Sequence, residues 1–340
     1  MTRQIPLVIG HRGAPGYRPE HTRASYELAI GMGVDAVEPD VVPTRDGVLV
    51  VRHENEISGT TDVADHPEFA DRRRRGSVDG EELTGWFAED FTWAELSDLR
   101  CRERLPLLRP GSAAFDGVEP ILRLSDVLDL VRRASAERSR AIGVVVEIKH
   151  ATSFAALGFD VGDLVERELR ASGWADGVLP LWIESFEAGV LDRIRDRGLA
   201  AELIYLIEAA GAPFDLVSLK GADEDAPVET YAEQISPGGL ARLAGRVDGI
   251  SVDKRILLDR PGLPAEAHAE GLSVLTWTCR PENAFLDGPH RRAGGDGAFG
   301  DFAEEWARIA ATGVDGVFVD HPDLGVAAFR SRPAGATVRP

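Results

Sequence analysis

The chain has 340 residues, 44% of them hydrophobic and 28% charged, which is ample material for one large core and an ordinary charge content for a globular protein. Its formal net charge of −19 argues against nucleic acid and against an anionic membrane surface as partners. Two cysteines, Cys101 and Cys279, make no disulfide framework and read as free thiols of a reducing compartment.

Short β-branched runs at 7–10, 36–42, 48–52, 143–149, 178–183, 201–207, 249–252, 273–278 and 316–319 predict strands. Amphipathic stretches at 22–33, 124–137, 160–172, 186–197, 237–246, 262–270 and 301–312 predict helices between most of them. Several strands are fed by a glycine turn, as in G-M-G-V-D-A-V and A-T-G-V-D-G-V, where a helix end needs a positive φ. Alternating strand and helix imply a parallel sheet. With 48–52 taken as a continuation of the second strand, the units number eight, and the expected fold is an α/β (β/α)8 TIM barrel. No G-x-G-x-x-G follows the first strand, so a dinucleotide-binding sheet lacks its main support.

Residues 54–120 break the rhythm, with D-R-R-R-R-G, G-W-F-A-E-D-F and R-E-R-L-P-L-L-R-P-G. They read as an insertion after the second strand, on the face where barrel enzymes carry their sites, and as a cap or one wall of a pocket. The arginines at 72–75 read as a solvated charged loop rather than a phosphate site. The expected organisation is a single domain over 1–330 and a frayed Pro-, Gly- and Arg-rich tail over 331–340. No signal-peptide apolar segment or run of about 20 apolar residues stands in the sequence, and a cytoplasmic location without a membrane span is expected.

Polar groups close several apolar runs. In E-P-D, Glu38 and Asp40 are two apart and share one face of a strand. In V-V-V-E-I-K, Glu147 and Lys149 do the same. Crowded carboxylates repel unless a cation lies between them, and a glutamate after three valines needs a partner. Three carboxylates from two strands make an all-oxygen site for a hard dication, Mg²⁺ or Ca²⁺, with Mn²⁺ also suited. No H-x-x-x-H or C-x-x-C pair suggests zinc. His11 and His53 each close an apolar run and suit proton transfer near neutral pH. Arg12 offers a planar fork for phosphate oxygens, and Gly13 beside it lets backbone approach.

H-R-G at 11–13, P-E-H-T at 19–22, E-P-D at 38–40, H-E-N from His53, E-I-K at 147–149, S-F at 185–186, W-T at 277–278 and G-V-D-G-V-F-V-D-H-P at 313–322 together resemble the glycerophosphodiester phosphodiesterases, in family order and over nearly the whole chain. The resemblance implies a TIM-barrel phosphodiesterase with an insertion after the second strand. It implies metal-dependent hydrolysis of small-molecule glycerophosphodiesters to sn-glycerol 3-phosphate and an alcohol such as choline or ethanolamine. It makes His11 and His53 the catalytic pair and Glu38, Asp40 and Glu147 the ligands of one divalent cation. It assigns Arg12 and Lys149 to the phosphate and puts Glu20 near the site. Phe186 and Trp277 fall around the alcohol pocket and read equally as core aromatics. Two positions depart from the pattern: Glu54 follows the second histidine where the family often has Asp, and Pro39 links the carboxylates of E-x-D. A lysophospholipase D-like enzyme of the same superfamily is an alternative and would need an apolar rim, with Trp86, Phe87, Phe91 and Trp93 as candidates. A non-catalytic phosphate-binding barrel is the other.

Overall fold

The computed structural model describes residues 5–221 and 227–330, so the tail expected at 331–340 lies outside the described residues. Twelve strands are described: β1 Leu7–His11, β2 Ala36–Glu38, β3 Asp40–Pro43, β4 Leu49–Val51, β5 Arg74–Val78, β6 Glu81–Gly85, β7 Gly143–Ile148, β8 Leu181–Ser185, β9 Glu202–Ile207, β10 Gly249–Asp253, β11 Ser273–Cys279 and β12 Gly316–Val319. Side by side and parallel run β1, the broken stave β2–β3, then β7 through β12, and β12 pairs back onto β1. That closes a barrel of eight staves.

A helix follows each stave: α1 Arg23–Met32, α2 Leu124–Glu137, α3 Val161–Ala171, α4 Ala188–Asp196, α5 Pro237–Leu243, α6 Leu263–Ala269, α7 Phe302–Ala311 and α8 Pro322–Arg330. Local chemistry sets their ends. At α1, the Thr22 side chain accepts the Ser25 N–H, and Gly33 at φ 97° closes the helix. The first seven helices match the amphipathic segments of the sequence to within a few residues, and α8 was not foreseen.

The second stave differs from expectation in two ways. It breaks at Pro39, which has no N–H for the ladder. Segment 49–51 does not continue the stave. A Thr44–Asp46–Gly47 turn reverses the chain, and β4 pairs antiparallel with β3 at the barrel's side.

The insertion is ordered. Hairpin β5–β6 runs toward the barrel mouth, and its tip, Asp79, binds the Ser153 hydroxyl and the His150 ring just after β7. Asp79 and Glu81 line the central cavity, so the insertion supplies part of the pocket wall. Arginines 72–75 are not merely solvated. Arg72 pairs with Glu95 at 2.6 Å and Arg74 with Asp90 at 2.6 Å, and Arg73 lies 5.7 Å over the Trp86 ring. Trp86, Phe87 and Phe91 are buried beneath them and Trp93 packs partly buried against the core, so these aromatics do not form an apolar rim.

Two layers inside the barrel determine where the chemistry sits. Ile9, Ala36, Val145, Trp182, Ile204, Leu275 and Phe318, from seven strands, pack together as a plug in the barrel interior. Side chains two positions apart on a strand share a face. Two residues further along the same strands, toward their carboxyl ends, come His11, Glu38, Glu147, Glu184, Leu206, Trp277 and Asp320. The plug fills the middle, and the next layer is polar except for Leu206 and Trp277.

Candidate active site

That polar layer floors a cavity of about 960 Å³, bounded by His11, Arg12, Glu38, His53, Glu147 and Lys149 among others. The strand register sets the polar groups side by side: His11 is paired with Glu38, Asp40 with Glu147, and Glu147 with Glu184. The Pro39 break does not scatter E-P-D. The Arg12 N–H donates to Glu38 Oε2 at 2.8 Å, while Asp40 Oδ2 lies 3.0 Å from His21 Nε2 and 3.3 Å from Arg12 Nε.

Each expected catalytic histidine is paired with a carboxylate through Nδ1. His11 Nδ1 is 2.6 Å from Asp320 Oδ1, and His53 Nδ1 bonds Glu54. Burial would raise both acids, but the facing cations and histidines hold them below the usual carboxylate range. An ionised carboxylate only accepts. The Nδ1 atoms therefore carry the protons, and each Nε2 is left as an acceptor. Burial and then Arg12 pull His11 down to about 4, against the pull of Asp320. Burial, Arg12 and Lys149 push His53 down as well. The Lys149 ammonium lies 3.2 Å from His53 Nε2 and donates to Glu147 Oε1 at 2.8 Å.

Arg12 sits at φ 54° and Gly13 at φ 93°, in a tight turn that brings the guanidinium back over the layer. Arg12 pairs with Glu20 at 3.1 Å. Glu20 in turn meets Arg104, which also grips both oxygens of Glu54 at 2.8 and 2.6 Å. The extra methylene of Glu54, relative to Asp, thus serves a carboxylate that spans His53 and an arginine of the insertion. Phe186 and Trp277 pack on the core, line the cavity and meet edge to face at 5.6 Å, with Lys149 Nζ 5.5 Å from the Phe186 centroid.

Sequence reasoning missed several groups. Asp320, within the quoted F-V-D-H-P, had no role assigned. Arg109 and Arg280, which clamp Asp320 at 2.6 and 2.7 Å, gave no periodic signal. Glu184 ends an apolar run just as Glu38 and Glu147 do, and was passed over. Among the described residues, Glu38, Glu147 and Glu184 offer carboxylate oxygens all within 4.8 Å of one another. Asp40 is not in that tight group, but its Oδ1 is buried without a partner, as is Oε2 of Glu184. Burial and mutual repulsion raise Glu38 and Glu184, and burial pushes Glu147 up to about 8 despite Lys149. An all-oxygen, anion-rich cluster with orphaned oxygens fits a hard dication.

Comparison with known proteins agrees with this geometry. The sequence model of the Glycerophosphoryl diester phosphodiesterase family matches residues 11–324. A glycerophosphodiester phosphodiesterase of Arabidopsis thaliana is 30% identical over 93% of this chain and 83% of its own length. A crystal structure from Silicibacter pomeroyi assigned to the same family superposes with TM-score 0.66 at 25% identity, covering 96% of this chain and 93% of that one. A phosphodiesterase from Oleispira antarctica, solved with its product sn-glycerol-3-phosphate, shares the fold at TM-score 0.64 and 20% identity, over 96% of this chain and 98% of that one.

Proposed function

Because the chain belongs to the glycerophosphoryl diester phosphodiesterase family and is a phosphoric diester hydrolase, we propose that it splits glycerophosphodiesters into sn-glycerol 3-phosphate and an alcohol, with His11 and His53 exchanging protons over a cation-binding carboxylate cluster. The observation that carries this reading is the pairing of both histidines through Nδ1 with ionised acids, which leaves two neutral Nε2 acceptors at one cavity. The product sn-glycerol-3-phosphate bound by the Oleispira antarctica relative supports the choice of product.

In this mechanism one imidazole takes the proton of the attacking oxygen, from water or from the neighbouring glycerol hydroxyl. The phosphorus–oxygen bond to the alcohol breaks, and the leaving oxygen takes a proton from the other imidazole, which must first have bound one from water at Nε2 beside the anionic phosphate. Arg12 and Lys149 bind the phosphate oxygens, and Phe186 and Trp277 form the wall against which the alcohol packs. Glu38, Asp40 and Glu147 hold the dication, Mg²⁺, Ca²⁺ or Mn²⁺. When bound, that cation neutralises phosphate charge and stabilises the charge added in the transition state. Two free, buried thiols, Cys101 and Cys279, support a reducing, cytoplasmic setting. Among the described residues no helix is long and apolar enough to cross a membrane.

The test is turnover of glycerophosphocholine by the wild type, by His11→Ala, by His53→Ala, and by the wild type after chelation. Each of the three perturbations is expected to reduce the rate by at least about 100-fold. Undiminished activity in any one of them removes that part of the mechanism.

A further inference from the structure

Glu184 is a buried acid that the mechanism above does not use. It projects from β8 directly beside Glu147 on β7, in the register that also sets Glu147 beside Asp40. The residue is 1% exposed, and its Oε2 is buried without a hydrogen-bond partner. The nearest cation, Lys149, is committed to Glu147 and His53. A buried carboxyl oxygen without a donor is costly, so a cluster that keeps one is built around something absent from the protein itself.

The neighbours indicate what that is. Glu38, Asp40 and Glu147 each give one oxygen to a protein donor, Arg12, His21 and Lys149 respectively. Asp40 Oδ1 and Glu184 Oε2 are buried without a partner, and Glu38, Glu147 and Glu184 each offer an oxygen to one common point. Resting on the reading that this cluster takes a dication, we infer that Glu184 is a direct ligand of it. The shell then draws carboxylates from three consecutive staves, and the added acid makes the site one for calcium rather than magnesium.

The choice between ions follows from coordination. Mg²⁺ holds a tight octahedron, keeps several waters and takes one or two carboxylates. Ca²⁺ takes about 6–8 oxygens at looser distances, with carboxylates binding through one or both oxygens. Three convergent carboxylates, with the orphaned Asp40 Oδ1 on the neighbouring stave, supply more oxygens than the one or two carboxylates that Mg²⁺ takes. The aliphatic and aromatic plug below, including Trp182 two residues before Glu184, gives the acid's side chain no polar alternative.

The experiment is calorimetric titration of the full-length chain with Ca²⁺ and with Mg²⁺, for wild type, Glu184→Gln, Glu184→Asp and Glu184→Ala. The wild type is expected to bind Ca²⁺ at least about tenfold tighter than Mg²⁺. Gln and Ala at 184 should weaken Ca²⁺ roughly 10–100-fold and narrow the Ca²⁺/Mg²⁺ ratio, with Asp restoring part of the loss. Melting curves add a readout that a purely structural role would move the other way. Without metal, Glu184→Gln should melt at or above the wild-type temperature, because no protein partner of the carboxyl is lost, and its Ca²⁺-induced rise should shrink. Wild-type Ca²⁺ affinity in Glu184→Gln, or a wild-type preference for Mg²⁺, overturns the inference while leaving the phosphodiesterase reading intact. A wild type that binds neither ion overturns both the inference and the cation in the proposed mechanism.

Discussion

Asp320 holds His11 Nδ1 at 2.6 Å with one oxygen while its other oxygen is gripped by Arg109 at 2.6 Å and Arg280 at 2.7 Å. The carboxylate is thereby fixed in place and kept ionised, and the His11 proton is fixed on Nδ1. Asp320→Asn can turn an amide N–H₂ toward the ring and so favour the wrong tautomer. The expected result is a fall in kcat of roughly 10²–10⁴-fold with little change in KM. Asp320 raises the His11 pKa, so, with His11 as the base, its loss should move the acid limb of the kcat/KM profile to lower pH. A profile of unchanged shape and a kcat near wild type would show that Asp320 only supports the fold.

The turn that presents Arg12 depends on Gly13. Its φ is 93°, and a Cβ there would stand 2.5 Å from Ser25 Oγ and 2.7 Å from the Ser25 backbone carbon. The side chain can rotate away, but the backbone of α1 cannot. Gly13→Ala should therefore displace the turn, with about 1–2 kcal/mol lost to the left-handed backbone alone and more to the clash. We expect a lower melting temperature together with a severe loss of kcat/KM, since Arg12 N–H and Glu38 are bonded through this turn. Wild-type stability in this variant would mean that the turn relaxes freely.

What was legible in the sequence followed one rule. A polar residue that ends an apolar run in a parallel barrel lands on the layer above the plug, and His11, Glu38 and Glu147 were found that way. The same rule applies to Glu184 and Asp320. Glu184 lies one residue past the apolar run 178–183, and the strand that carries it extends to Ser185. Arg104 and Arg109 obey no period. They come from the irregular insertion, and they find their partners 84 and 211 residues away, so only the folded chain brings them together. Pro39 lacks a ladder N–H, but the effect of the break was not readable, because the geometry on both sides is set by neighbouring staves.

Glu187 gives the fold a pH dependence of its own. It is 4% exposed and accepts the Thr152 N–H at 2.9 Å, and burial lifts it from 4.5 to about 7. A carboxyl raised in the folded state binds its proton more tightly there than when unfolded. Its contribution is full below about 4.5 and is lost as pH rises through about 7. At about 1.4 kcal/mol per unit, the loss amounts to at most about 3 kcal/mol. Glu187→Gln keeps an acceptor for Thr152 and removes the charge. It should melt above the wild type at pH 8 and approach it toward pH 5. Melting temperatures of the two proteins that differ by the same amount across this range would exclude the effect.

Arg109 ties the insertion to the barrel. It is 6% exposed and bridges Glu282 at 2.7 Å and Asp320 at 2.6 Å. Arg109→Leu leaves Asp320 with Arg280 but leaves Glu282, itself 1% exposed, without its cation. Removing one partner of a buried pair is expected to cost about 3–5 kcal/mol, seen as a fall of several degrees in melting temperature. The penalty comes from the stranded acid rather than from the lost attraction. Arg109→Leu combined with Glu282→Leu should therefore recover much of the stability, and a double variant no better than the single would contradict that origin. Because Arg280 still holds Asp320, the single variant should lose less kcat than Asp320→Asn, which separates the arginine's structural work from the carboxylate's work on His11.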